Sequence, residues 1–436
     1  MKFKSFFSFD ISVILSTFML MTFGILFIYS SGITSTGQNV SHEYIMQIVW
    51  VITGLGIFLG VVFSEINFFR RWSMQFYLII IATMIATLLF GRKVNGSRSW
   101  LGIFGFGIQP SEFAKIAIML MLSDYFDKHS KNIDTFRVFV TGLIIAGIPM
   151  MLTLAQPDMG TSLVFIPIFA AIAYVAGVRK RYLLFLLFSG IIMVVIGVLP
   201  AWAKFFVKGD PGFYQVLISP DILYMLIGAV FLVLIISLLG FLSTKKGYFY
   251  WIIYTASIVI SGFAGGIGVR LVLKEYQIMR LIVFLNPYID PKGTGWNIIQ
   301  SITAVGSGGL WGRGFLHGTQ SHYRFLPQQS TDFIFSILAE EWGFAGSILV
   351  LTAFSIILVR SLLILSKSKD PFHVLLGSGI VAMFFFHVII NIGMAIGIMP
   401  ITGIPLFFLS YGGSSLWTGL IAIGFLENIY IKRFTI

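Results

Sequence analysis

Apolar runs of about 20 residues recur along this chain from residue 11 to residue 430, and no polar block between them is large enough to fold by itself. A run of that length crosses the roughly 30 Å hydrocarbon core as a helix. Within that core every backbone N–H and C=O must be satisfied internally, which leaves helices as the only structure such runs can form. Twelve segments qualify or nearly so, at about 11–31, 46–64, 75–91, 110–124, 138–155, 160–178, 182–201, 222–242, 249–272, 333–359, 373–397 and 405–430. The expected fold is an all-α polytopic membrane protein with about twelve transmembrane helices in a single membrane domain over residues 1–436. The segment at 110–124 is the weakest, because Glu112 and Lys115 lie inside it.

Composition supports this reading. Of 436 residues, 57% are hydrophobic and 11% charged, against roughly 25% charged in a soluble domain. The N-terminal "MKFKSFFSFD" is basic and leads into an apolar run too long for a signal-peptide core, so an uncleaved first span is expected. The absence of cysteine excludes disulfides, thiolate metal sites and a cysteine nucleophile. The six histidines show no HExxH or similar ligand spacing, so no metal site is expected.

The net charge of +12 would suit nucleic acid in a soluble protein, but here it is the distribution between spans that matters. With a cytoplasmic N-terminus, the even loops and both ends hold seventeen of the 29 basic residues, among them Arg70, Arg71, Lys128, Arg179, Lys180, Lys245, Lys246, Arg360 and Lys367. Both termini are therefore expected in the cytoplasm, and no nucleic-acid partner is expected. Most of the exceptions cluster in "GRKVNGSRSW" (Arg92, Lys93, Arg98) and in the segment from 273 to 332 (Lys274, Arg280, Lys292, Arg313, Arg324). Two basic outer loops suit an anionic ligand at the outer surface, or contact with lipid phosphates, and position alone leaves both open. The 273–332 segment is glycine-rich, yet its Trp296, Trp311, Phe315, Tyr323 and Phe325 argue for a large structured re-entrant loop on the extracytoplasmic face.

Ionisable groups within spans need a reason. Glu112 and Lys115 are three residues apart, share a helix face and can form an ion pair that orders the outer end of their helix. Asp158 in "LAQPDMGTS" reads as a helix cap at least as readily as a catalytic group. Ser330, Thr331 and Asp332 precede a long helix and read as an N-cap cluster. Glu340 and Glu341 should face the protein interior and be paired, and an interhelical hydrogen bond would account for His387 and Asn391, which share a face. In "FLNPYIDPKGTGW" Asp290 stands between two prolines and two glycines, and spacing alone favours a turn cap.

Taken in order, "NGSRSWLG", "QPSEFAK", "QPDMGTS", "NPYIDPKGTGWNIIQSITAVGSGGLWGRGF", "GTQSHYRFLPQQSTDFIFSILAEEWGF", "NIGM" and "GIPLFFLSYGGSS" closely resemble the shape, elongation, division and sporulation family of bacterial membrane glycosyltransferases. The stretch "GSGGLWGRGFLHGTQS" is more similar to the elongation branch than to the division branch. The resemblance implies polymerisation of the lipid-linked disaccharide-pentapeptide lipid II at the outer face of the cytoplasmic membrane. It also implies a class B penicillin-binding protein as partner. Carried over by motif, the family's essential aspartate is Asp290, the general base that takes the proton of the attacking sugar hydroxyl. Lys93, Arg98, Arg280, Lys292 and Gln300 are then candidate substrate contacts, the cations serving the departing undecaprenyl diphosphate. Glu112, Lys115, Asp158 and Asp332 are supporting residues. The motifs single out no cofactor with certainty; a divalent cation could assist the leaving group, although no ligand cluster in the sequence demands one.

Two departures from the family accompany the match. Its members typically have ten spans, so the region 182–272 is expected to hold an inserted helix pair, and the family's "LPE" stands here as "LPQ" with Gln328. The rival from another class is a flippase of lipid-linked precursors, which would line a path through the bilayer with polar groups and show repeated span pairs. Neither feature is visible, and a division-type glycosyltransferase is the rival within the family.

Overall fold

The computed structural model describes residues 9–94, 97–103, 106–206, 219–272 and 275–432. The helices in chain order are α1 Ile11–Ser31, α2 Glu43–Phe63, the short α3 Ile66–Arg71, α4 Ser73–Phe90, α5 Pro110–Lys128, α6 Phe136–Ala155, α7 Met159–Val175 and α8 Lys180–Phe206. They continue as α9 Pro220–Thr244, α10 Gly247–Val272, α11 Glu275–Leu285, α12 Thr294–Ser307, α13 Thr319–His322, α14 Ile334–Leu365, α15 Pro371–Ala395 and α16 Gly413–Lys432.

Among the described residues ten helices are long and apolar enough to cross a membrane: α1, α2, α4, α6, α8, α9, α10, α14, α15 and α16. The other two expected spans are present as helices but miss that measure. Glu112, Lys115, Asp124, Asp127 and Lys128 make α5 too charged, and the 17 residues of α7 reach only about 26 Å. The last helix begins at Gly413 rather than 405, after a loop that contains Pro405 and a left-handed Phe408.

A small sheet joins α4 to α5, which hydropathy did not predict. Its strands β1 Arg92–Val94, β2 Ser97–Ile103 and β3 Phe106–Ile108 are antiparallel in the order β1-β2-β3, with Arg92 opposite Trp100 and Gly102 opposite Gly107.

The chain divides into two compact units, one of residues 1–178 with 297–436 and one of residues 179–296. In the first, α2 packs on α16, α1 on α14, α7 on α15 and α4 on α5. Its polar groups gather near the helix ends. Asp10 caps α1 through the N–H groups of Ser12 and Val13 and pairs with Arg360. Arg70 bridges Asp124, Asp127 and Asp370. In the second unit α8 packs on α10 and α10 on α9, and Arg270 donates to the Ile196 carbonyl from both Nε (3.1 Å) and Nη2 (2.7 Å).

The 32-residue α14 is broken at Gly343, where φ is 65° and ψ −157°. A break frees backbone groups that must find other partners where they are buried. Here residues 309–314 satisfy them: the Arg313 and Gly314 N–H groups donate to the Glu340 and Glu341 carbonyls, and the Phe344 and Ala345 N–H groups donate to the Gly309 and Leu310 carbonyls, all within 3.0 Å. Only glycine permits the approach. A Cβ on Gly343 would stand 2.3 Å from the Gly312 nitrogen, and one on Gly312, itself at φ 80°, would stand 2.0 Å from the Glu341 carbonyl oxygen. Residues 308–322 thus form a strap sewn into a broken helix.

Candidate active site

The residues singled out in the sequence divide between the two units. Asp290, Arg280 and Lys292 belong to the second, and Lys93, Arg98, Gln300, Glu112, Lys115, Asp158 and Asp332 belong to the first.

Asp290 ends a 3-10 turn, Pro287–Ile289, that follows α11. The Asn286 side chain accepts from the Tyr288 N–H at 3.0 Å and starts this turn. The Asp290 carbonyl accepts from the Gly293 and Gly295 N–H groups at 3.3 and 3.0 Å, which folds the chain into α12. The half-buried carboxylate lies directly over Gly293, since a Cβ there would stand 2.3 Å from Asp290 Oδ2. A Cβ on Gly295 would stand 2.1 Å from the Pro287 carbonyl oxygen, so this glycine is required for the loop to close, whereas at Gly293 the carboxylate alone would have to move. Arg280 is half-buried on α11 and Lys292 is exposed two residues beyond Asp290.

In the first unit Lys93 lies on β1, and Arg98 is exposed on β2 between Ser97 and Ser99, whose hydroxyls hydrogen-bond each other. Strand alternation turns the two serines inward and Arg98 outward. Ser97 Oγ donates to the Gln156 carbonyl at 2.7 Å, and Gln156 Nε2 to the Met84 carbonyl at 3.1 Å, so β2 is fixed to α4 and to the end of α6. Gln300 is half-buried on α12, beside the fully buried Ser301, whose hydroxyl bonds Ser336 Oγ at 2.7 Å and the Ala395 carbonyl at 2.6 Å.

Glu112 and Lys115 form the expected buried pair, Nζ to Oε1 at 2.7 Å. Lys115 Nζ also lies 3.3 Å from His387 Nε2 and 5.5 Å from the centre of the Phe407 ring. His387 Nδ1 faces the Pro405 carbonyl at 2.9 Å, which assigns the ring proton to Nδ1 and leaves Nε2 as the acceptor for Lys115. Asn391 donates to the Asp332 and Ile404 carbonyls at 3.0 and 2.8 Å. His387 and Asn391 therefore hold loops rather than bonding a neighbouring helix alone.

Asp158 is a cap: it accepts from the Thr161 N–H at 3.1 Å, the Thr161 hydroxyl at 2.9 Å and Gln109 Nε2 at 2.8 Å. The N-cap cluster expected at 330–332 is not one. Phe333 occupies the cap position of α14 with no side-chain bond, because the chain turns there through backbone bonds from Asp332 and Phe333 to the Gln328 carbonyl. Glu340 and Glu341 are paired as expected, though with backbone as much as side chains. Glu340 accepts from the N–H groups of Thr319, Gln320 and Ser321 at 2.7, 2.8 and 3.3 Å. Glu341 accepts from the Ser30 hydroxyl and, at 3.2 Å, from the Leu316 N–H, and its Oε1 lies 3.5 Å from His322 Nε2. That carboxylate raises the His322 pKa above 6.5, against a smaller opposing effect of burial.

Sequence reasoning missed the Lys115–His387 contact and the bond from the Tyr411 N–H to the Ser330 carbonyl (2.8 Å) that ties the two loops before α14 and α16. The polar residues clustered in "LSYGGSS" were the available sign of the second.

Compared with known proteins, residues 11–207 and 213–434 match the FtsW, RodA and SpoVE family model, described as cell cycle protein. The chain is 44% identical over 434 residues to the peptidoglycan glycosyltransferase RodA of Treponema pallidum, a match that covers 99% of this chain and 100% of that protein. It is 30% identical over 423 residues to the peptidoglycan glycosyltransferase MrdB of Escherichia coli K12, covering 95% and 93%. Among solved structures it resembles a chain of a peptidoglycan synthase complex, with a TM-score of 0.71 at 22% identity over 99% of this chain and 100% of that one. It also resembles RodA of Thermus thermophilus, with a TM-score of 0.60 at 20% identity over 98% of each chain.

Proposed function

The chain belongs to the FtsW, RodA and SpoVE family of cell cycle proteins, and from that premise we propose that it is a peptidoglycan glycosyltransferase with Asp290 as its general base. The full-length likeness to a peptidoglycan glycosyltransferase carries the activity, and the Asp290 loop supports the assignment of the base. Lipid II is the substrate, and both termini lie in the cytoplasm, a reading that the distribution of basic loops supports. The reaction takes place on the opposite face of the bacterial cytoplasmic membrane, with a class B penicillin-binding protein as partner.

In this mechanism an acceptor sugar hydroxyl attacks the anomeric carbon of the donor. The new C–O bond forms as the bond to the diphosphate breaks, Asp290 takes the hydroxyl proton, and undecaprenyl diphosphate departs. Arg280 and Lys292, in the same unit as Asp290, are the cations proposed for the diphosphate, and arginine suits it because its planar fork binds two phosphate oxygens. Gln300 supplies an amide for the sugar. A single carboxylate base fits one displacement with inversion. Gly293 matters because the absence of its side chain is what lets the carboxylate occupy its place.

The test is glycan-strand formation from purified lipid II by the wild type and Asp290→Asn, each with and without a class B partner. Polymer from the wild type and at least about a 10²-fold loss in a folded Asp290→Asn are expected. Normal polymerisation by the variant would remove Asp290 as base. Transfer of lipid II across a bilayer without polymer would replace the enzyme with a transporter.

A further inference from the structure

We infer that Arg313 and Trp311, at the tip of the strap sewn into α14, form a binding site for the phosphate of a membrane phospholipid, one that holds the broken helix at the headgroup plane. The depth of the break supports this. From Gly343 to Leu365 the helix runs 23 residues, or about 34 Å at 1.5 Å per residue, close to the roughly 30 Å thickness of the hydrocarbon core. Lys367 and Lys369 follow Leu365 directly and mark one headgroup layer. Gly343, and the strap bound to it, then lie at the other.

What the strap presents there suits that layer. Trp311 is 82% exposed and Leu310 68%, and Phe344, next to the break, is 60% exposed. Tryptophan is enriched at the membrane interface because its ring is apolar and its N–H is polar. Arg313 is exposed and already oriented: Nη1 donates to Thr319 Oγ1 at 2.8 Å and Nε to the Ser307 carbonyl at 3.4 Å. Thr319 Oγ1 in turn donates to Glu340 Oε1 at 3.1 Å, so a buried carboxylate fixes the hydroxyl that fixes the guanidinium. Both direct partners of Arg313 are neutral, which leaves its charge without an ion-pair partner among the described residues. A pre-oriented guanidinium with no direct ion pair among the described residues, beside an interfacial tryptophan, fits a lipid phosphate, whose oxygens accept its remaining N–H groups while the acyl chains cover Trp311 and Leu310.

The same chemistry could come from a free phosphate or from the diphosphate of a lipid-linked substrate; the site is assigned to a phospholipid because the apolar side chains around it are exposed beside the break in a helix long and apolar enough to span the membrane. This does not depend on the role given to Asp290. The test is retention of phosphatidylglycerol by the delipidated full-length protein, followed by native mass spectrometry during titration, for wild type, Arg313→Gln, Arg313→Lys and Trp311→Phe. Arg313→Gln should weaken the tightest binding step about tenfold without changing the thermal unfolding midpoint. Arg313→Lys should lose less, and Trp311→Phe should lower the quenching of tryptophan fluorescence by brominated phosphatidylglycerol. Unchanged lipid binding in Arg313→Gln would overturn the assignment. So would displacement of the lipid from the wild type by millimolar inorganic phosphate, which would indicate a free anion. A raised KM for lipid II with unaltered phosphatidylglycerol binding would also overturn it, giving the site to the substrate.

Discussion

Lys115 Nζ and Glu112 Oε1 stand 2.7 Å apart, one turn apart on α5, and each side chain is only 1% exposed. Removing one partner leaves the other charge buried without its counter-charge, a loss of roughly 3–5 kcal/mol, whereas replacing both by neutral groups of similar volume costs far less. Glu112→Gln should therefore lower the thermal unfolding midpoint more than the double variant Glu112→Gln/Lys115→Met. Equal midpoints would show that the pair carries no such coupling.

Gly293→Ala places a methyl group where the Asp290 carboxylate now lies, 2.3 Å from Oδ2. The carboxylate must swing away, and a displacement of about an ångström in a catalytic group costs on the order of 10²-fold in rate. Lipid II polymerisation should fall by that factor while the protein remains folded in detergent. Full activity would show that the base does not need its present position.

His322 couples the strap to pH. Its pKa is raised, first by the Glu341 carboxylate, so its contribution to stability is fully present below the ordinary value of about 6.5 and is lost as pH rises through the higher folded value. Amide hydrogen exchange in residues 316–322, corrected for intrinsic rate, should quicken as pH rises above about 6.5. His322→Gln should abolish this pH dependence, and an unaltered profile in that variant would assign it elsewhere.

Gly343→Ala puts a side chain at φ 65° and against the Gly312 nitrogen. The backbone strain alone is about 1–3 kcal/mol, and the strap must also give way. Gly306→Ala, with open space around its Cβ, is the control. Limited proteolysis should cut residues 308–322 in Gly343→Ala and spare them in Gly306→Ala; equal resistance would mean the strap holds without the glycine contact.

The positions of the helices were legible because length and apolarity are local properties, and a 20-residue apolar run has one solution in hydrocarbon. The Glu112–Lys115 pair and the Asp158 cap were legible for the same reason, since both are contacts within a few residues. The sheet at 92–108 was not, because its strands are short and alternate weakly. The supposed cap at 330–332 failed because serine, threonine and aspartate before a helix announce a cap only when the chain enters the helix extended, and here it enters through a turn.

The sequence by itself determined that this is a multi-pass helical membrane protein, where its long apolar helices lie, and that one carboxylate stands in a proline- and glycine-bounded loop. Tertiary structure alone decided that Lys115 meets His387 across 272 positions, that Glu340 and Glu341 hold a strap, and that this strap completes a broken helix. In a soluble protein an apolar stripe shows which face of a helix is buried. In a membrane both faces are apolar, so pattern cannot show which polar groups turn toward one another, and only the packing of the helices determines it.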